Sequence, residues 1–197
     1  MCEIIVLSLV LVVLFVAVGV WCRRCVYSDF NKLHGAVFEN NVVEAIRLIQ
    51  KCPGAINRLH PVDGYSAFMR ASRKGSTQLV NVMIQFGGDV SVKSVKGESP
   101  FYLAVFHHIE CPYKEDATCI RALYYAGCDV NATNDKGIAP IHLAANFGHT
   151  NLVRWLLKKG ASPNLQPYPY LLAQMNGHTV TARLLQNYQL RAIEQAE

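Results

Sequence analysis

The sequence has no glycine-rich phosphate loop, no G-x-S-x-G and no H-E-x-x-H, so common signatures of nucleotide, acyl-transfer and zinc-peptidase chemistry are missing. It has little charge. Asp, Glu, Lys and Arg make up 17% of the residues, and the net charge is +5. The densest basic places are Arg23-Arg24 and the run Arg70, Arg73, Lys74, too few and too dispersed for a nucleic-acid partner. Seven cysteines occur (Cys2, Cys22, Cys25, Cys52, Cys111, Cys119 and Cys128) but no paired C-x-x-C array. An odd number at irregular spacing argues against a disulfide framework, and free thiols suit a reducing compartment.

What is present is unevenly spread. From Ile4 to Cys22, nineteen residues carry no charge and a single polar side chain, Ser8. As a helix this run spans roughly 28 Å, close to the hydrocarbon thickness of a bilayer. Trp21 at its edge and Arg23-Arg24 behind it form an interfacial ending. The expectation is a single-pass membrane anchor over residues 4–22, with the following repeats in the cytosol by the positive-inside rule. The competing reading is a cleaved signal peptide, for which Ala17-Val18-Gly19 offers small residues, leaving a secreted or lumenal protein. Against it, Glu3 is the only charge ahead of the run, which exceeds a usual signal core. Cys22 and Cys25 flank the two arginines and are candidate acylation sites, with unmodified thiols as the alternative.

Glycines mark an internal period. Gly54, Gly87, Gly127 and Gly160 are spaced 33, 40 and 33 residues apart, and Gly64, Gly97 and Gly137 follow in the same phase. The segment from Gly137 reads Ile138-Ala139-Pro140-Ile141-His142-Leu143-Ala144-Ala145, then Gly148-His149-Thr150-Asn151-Leu152-Val153-Arg154-Trp155-Leu156-Leu157 up to Gly160. This resembles the ankyrin repeat, G-x-T-P-L-H-x-A-A-x-x-G-H followed by L-V-x-x-L-L-x-x-G. Ser66 to Ala71 and Ser99 to Ala104 fill the same slots in earlier repeats, while Leu33-His34-Gly35-Ala36 is a degenerate first copy. Asn131 and Asn164 take the asparagine position after a helix pair, and Asn131-Ala132-Thr133 is the sole N-x-[ST] match, in a segment expected to be exposed.

The resemblance implies an all-α fold: an N-terminal transmembrane helix, then an ankyrin solenoid of about five helix pairs with β-turn fingers. The expected division is 1–30 for anchor and linker, then repeats at 31–60, 61–94, 95–133, 134–166 and 167–190, and a tail at 191–197. Pro100 and Pro140 suit a first helical turn, and Ser99 can cap it. Ala71, Ala104 and Ala144 let neighbouring helices approach. His142, and His34 in the first repeat, are expected to be structural. The third repeat carries seven extra residues around 107–116, since Leu103 to Gly127 spans 24 residues and Leu143 to Gly160 spans 17. Beside this insertion His107, His108, Cys111 and Cys119 offer zinc-type atoms, the basis of an alternative reading as a zinc sensor or enzyme, but their spacing matches no compact finger. In the fifth repeat Pro169 follows Pro140 by 29 residues, so its finger is expected to be short.

Ankyrin repeats imply a protein-binding scaffold rather than an enzyme, without cofactor, and a monomer is expected. Carried over by position, the concave face includes Arg70, Arg73 and Lys74, then Leu103, Phe106 and His107, then Leu143, Asn146 and Phe147. The finger tips add Lys96, Asp135 and Lys136. A protein partner with acidic and apolar residues, itself associated with the membrane, would fit this surface.

Overall fold

The computed structural model describes residues 28–111 and 117–194, with side chains as far as Leu190. The apolar run 4–22, Cys22 and Cys25 lie outside the described residues. Among the described residues no helix is long and apolar enough to cross a membrane, and no strand occurs.

Among the described residues ten α-helices form five pairs. A helix over 28–38 (α1) precedes Val42–Lys51 (α2). Then come Ala67–Arg73 (α3) with Thr77–Gln85 (α4), and Pro100–Glu110 (α5) with Thr118–Tyr125 (α6). Pro140–Asn146 (α7) pairs with Thr150–Lys158 (α8), and Pro169–Met175 (α9) with Thr179–Glu194 (α10). The inner helices α3, α5, α7 and α9 touch in series. Outside them α2 meets α4, α4 meets α6, and α8 meets α10.

Local chemistry marks the starts of α2, α3, α5, α7 and α9. The Asn41, Ser66 and Ser99 side chains accept from the backbone N–H groups of Glu44, Met69 and Tyr102 at 3.2, 3.2 and 3.1 Å. These are N-caps satisfying donors that the first turn leaves over. Ala139 has no oxygen to cap α7. There the imidazole takes part instead: His142 Nδ1 accepts from the Ala139 N–H at 2.9 Å. Prolines open α5, α7 and α9, where a missing N–H costs nothing.

Packing follows the repeat. Phe68 and Phe101 on inner helices, with Phe30 from α1, are essentially inaccessible to solvent, and each such burial stabilises by roughly 1.5–3 kcal/mol. Ala71, Ala104 and Ala144 are buried, as expected of small residues between touching helices. Helix and core already include Phe30, and at the other end α10 runs past residue 190. Gly54, first of the glycine series, sits in a 3-10 turn, Pro53–Ala55, without the positive φ of Gly87, Gly127 and Gly160.

Fingers close by paired backbone bonds. His60 donates to Tyr65 O at 2.9 Å, Ser94 to Glu98 O at 3.0 Å, and Asn134 to Ile138 O at 3.1 Å. Among the described residues no such pair closes 164–169, in line with the deletion there. The third repeat spends part of its insertion on one extra helical turn: α5 has 11 residues, α3, α7 and α9 have 7.

Candidate protein-binding face

Two grooves lie along the inner side. The first, about 460 Å³, is lined by Arg70, Arg73, Lys74 and His107 together with Phe38 and Tyr65. The second, about 590 Å³, runs below the finger tips Lys96, Asp135 and Lys136 and over Leu143, Asn146 and Leu172. Most residues nominated from sequence line one or other of these neighbouring grooves, whereas Leu103, Phe106 and Phe147 line neither.

The three basic side chains of the first groove are already engaged. Arg70 Nη2 lies 2.6 Å from the Asp63 carboxylate. Arg73 stands 3.8 Å from Glu110, and its guanidinium lies 4.8 Å from the Phe106 ring centre. Lys74 donates to the Phe38 carbonyl at 2.5 Å and sits 4.7 Å from that ring. Lys74 and Arg73 therefore tie α3 to α1 and α5, respectively. A partner's carboxylate would have to displace these contacts.

Leu103 leaves the proposed surface altogether. It is 0% exposed, within the core of the α3–α5–α7 run, and no partner atom reaches it. Leu143, its counterpart one repeat later, is 9% exposed but does line the second groove. Phe106 is half-buried beside Arg73, and Phe147 is 49% exposed. Sequence reading missed Phe38, which lines the first groove and is 62% exposed. The signal for Phe38 was available: it follows Ala36 by two, as Arg73, Phe106 and Asn146 follow Ala71, Ala104 and Ala144.

The second groove is rimmed by stacked fingers. The Asp135 N–H donates to Lys96 O at 3.1 Å, and the Asn134 carboxamide oxygen accepts from both Lys136 and Ile138 N–H at 3.0 Å. Between the first two full fingers, Tyr65 OH donates to Glu98 at 2.6 Å. Burial, aided by that carboxylate, pushes the Tyr65 phenol up to about 12. Burial lowers the pKa of His142 and keeps its ring neutral, as its acceptor role requires. Both motif histidines are buried, with His34 at 2% and His142 at 0% exposure.

Around the insertion, Cys111 Sγ and His107 Nδ1 are 3.9 Å apart and Cys119 is buried. Among the described residues no group of three or more His, Cys, Asp or Glu side chains is placed to hold a metal. Cys52, Cys111 and Cys128 are free thiols.

Stacked helix pairs, small inner-helix residues and turn fingers define a helical repeat solenoid. Residues 108–194 match the family model for ankyrin repeats in three copies. Related sequences include ankyrin repeat protein FPV222 of Fowlpox virus (strain NVSL), 28% identical over 45% of this chain and 11% of that protein. Ankyrin repeat and SOCS box protein 3 of Bos taurus is 29% identical over 48% and 17%. Transient receptor potential cation channel subfamily A member 1 of Homo sapiens is 30% identical over 68% and 12%. The protein belongs to the ankyrin-repeat family, whose repeats serve protein–protein interaction. It spans less than a fifth of the length of each of these three relatives.

Proposed function

We propose that this protein is a membrane-tethered interaction adaptor whose ankyrin stack captures a segment of a protein partner along its concave face. The observation that carries the reading is the second groove, with Lys96, Asp135 and Lys136 on its rim, Leu143 and Asn146 on its floor, and Phe147 exposed nearby. Exposed charges above a partly apolar floor suit an extended segment of mixed character. The first groove extends the site with aromatic faces and cations that already have partners.

The tether rests on the uncharged run 4–22 and on Arg23-Arg24. On this reading the repeats face the cytosol, Cys22 and Cys25 are candidate acylation sites, and the partner is found at the same membrane. A photo-crosslinking side chain placed at Phe147 should capture the partner in cells, whereas one at Val43, exposed on α2, should not. Equal capture from both positions would sink the concave mode. Alkaline extraction and N-terminal sequencing decide the tether: a released chain beginning near Val20 brings forward the secreted or lumenal alternative.

A further inference from the structure

We propose that the outer helices of repeats three to five form a second contact face, fitted to an anionic lipid surface. The starting point is a contrast in how cations are used. On the concave side Arg70, Arg73 and Lys74 are tied up within the stack. On the outer side Arg121 of α6, Arg154 and Lys158 of α8 and Arg183 of α10 are exposed. Among the described residues none of these four makes an ion pair.

Among the described residues these helices carry little acid; Glu115 and Asp116, just ahead of α6 in the sequence, lie outside the described residues. Neither α6 nor α8 contains Asp or Glu, and α10 has only Glu194, its final residue. The nearby acids Asp129 and Asp135 sit between α6 and α7. There Asp129 accepts from the Asn131 N–H at 2.8 Å, and Asp135 belongs to a finger. The pattern is confined to these repeats, because α4 is uncharged and α2 carries the Glu44–Arg47 pair.

Aromatic rings run through the same face. Tyr124 meets Trp155 edge-on at 5.6 Å, joining α6 to α8, and Lys159 lies 5.0 and 5.5 Å from the Tyr124 and Tyr125 ring centres. Tyr125 is 73% exposed. The Thr150 and Thr181 hydroxyls, 2.7 Å apart, join α8 to α10. Exposed tyrosine among cations that, among the described residues, form no ion pair is the composition that settles at a lipid headgroup layer. A nucleic acid would share the charge preference, but these rings pack against one another and under Lys159 and are not spaced to receive successive bases.

The full chain, reconstituted in nanodiscs of phosphatidylcholine with and without phosphatidylserine, provides the test. The readout is the rate of chemical modification at Lys158, with exposed Lys96 on the finger side as internal reference. Both discs receive the same chain, so the comparison is independent of whether residues 4–22 span the bilayer. Phosphatidylserine is expected to slow Lys158 modification several-fold at low salt, to leave Lys96 unchanged, and to lose its effect at high salt. Each basic side chain near an anionic surface is worth roughly fivefold in partitioning. Removing three such side chains exceeds the whole several-fold effect, so R121Q/R154Q/R183Q should abolish the phosphatidylserine protection of Lys158, with an unchanged melting curve to show that the fold is intact. Equal Lys158 rates in the two discs would overturn the proposal. So would protection by a single-stranded oligonucleotide in phosphatidylcholine discs that matches the phosphatidylserine effect.

Discussion

The Asn131 side-chain oxygen accepts from the Ser162 N–H at 2.8 Å, while its amide group donates to Gly160 O at 3.0 Å. One side chain thus clamps the end of α8 from the preceding repeat. Asn57 does the same two repeats earlier, with Asp89 N–H and Gly87 O, both at 2.8 Å. The position is half-buried, which corrects the expectation of an open sequon at Asn131. Replacing Asn131 by Ala leaves two backbone groups without partners and should cost about 1–3 kcal/mol. Asn131→Asp keeps the acceptor but sets a carboxylate against a carbonyl, and should not restore the loss. Urea unfolding of the purified chain measures both. A midpoint shift near zero for Asn131→Ala would mean that the clamp contributes nothing.

The alanine column supplies a second test. Ala144 is fully buried on α7, an inner helix touching α5 and α9. Ala144→Leu should cost about 1–3 kcal/mol through overpacking, and Ala144→Arg more because it also buries a charge. Melting of either variant within a degree or two of the parent would mean that these helices are not in register as described.

Finger stacking can be separated from turn strain by comparing two glycines. Gly87 and Gly97 both have positive φ, 86° and 73°, but a Cβ on Gly87 meets nothing within 4 Å. A Cβ on Gly97 would lie 2.3 Å from Asp135 Oδ1 and 2.7 Å from its backbone nitrogen. Gly87→Ala should therefore cost about 1 kcal/mol for backbone conformation, and Gly97→Ala clearly more. Equal losses in thermal unfolding would show that the fingers yield freely.

Acid should weaken the first repeat through His34. Burial, then the charges of Arg70 and His60, lower its pKa from 6.5 to about 4, and neither ring nitrogen has a well-formed hydrogen bond. Between pH 6.5 and about 4 the unfolded chain binds this proton and the folded chain does not. Stability from this group is thus complete above pH 6.5, falls as the pH drops through that window, and declines no further below about 4. His142 and His149 are lowered in the same direction. His34→Leu should flatten part of the slope of unfolding free energy against pH. An unchanged slope would place that proton elsewhere.

Much of the helical frame was legible because its punctuation is chemical. Pro100, Pro140 and Ser99 open helices, and Gly87, Gly127 and Gly160 end them, for reasons that depend on the residue itself. The state of the surface residues was not legible. That Arg73 meets Glu110 across α5, or Lys74 the Phe38 carbonyl, depends on partners distant in the chain or within an insertion that broke the period. Leu103 and Leu143 occupy equivalent slots, yet only one lines a groove. A repeat alignment assigns orientation but not what covers a side chain, so basic residues on the concave side looked available although they already have partners.

The shortened fifth finger leaves the second groove unlike at its two ends. On one side stand the stacked tips of Lys96 and Asp135; on the other α9 contributes Leu172, and among the described residues no paired turn closes 164–169. In the proposed concave mode a guest strand would be gauged at one end and free to overhang at the other. Trimming it from the overhanging side would change affinity gradually, residue by residue, whereas trimming it from the gauged side would remove its registration in a single step.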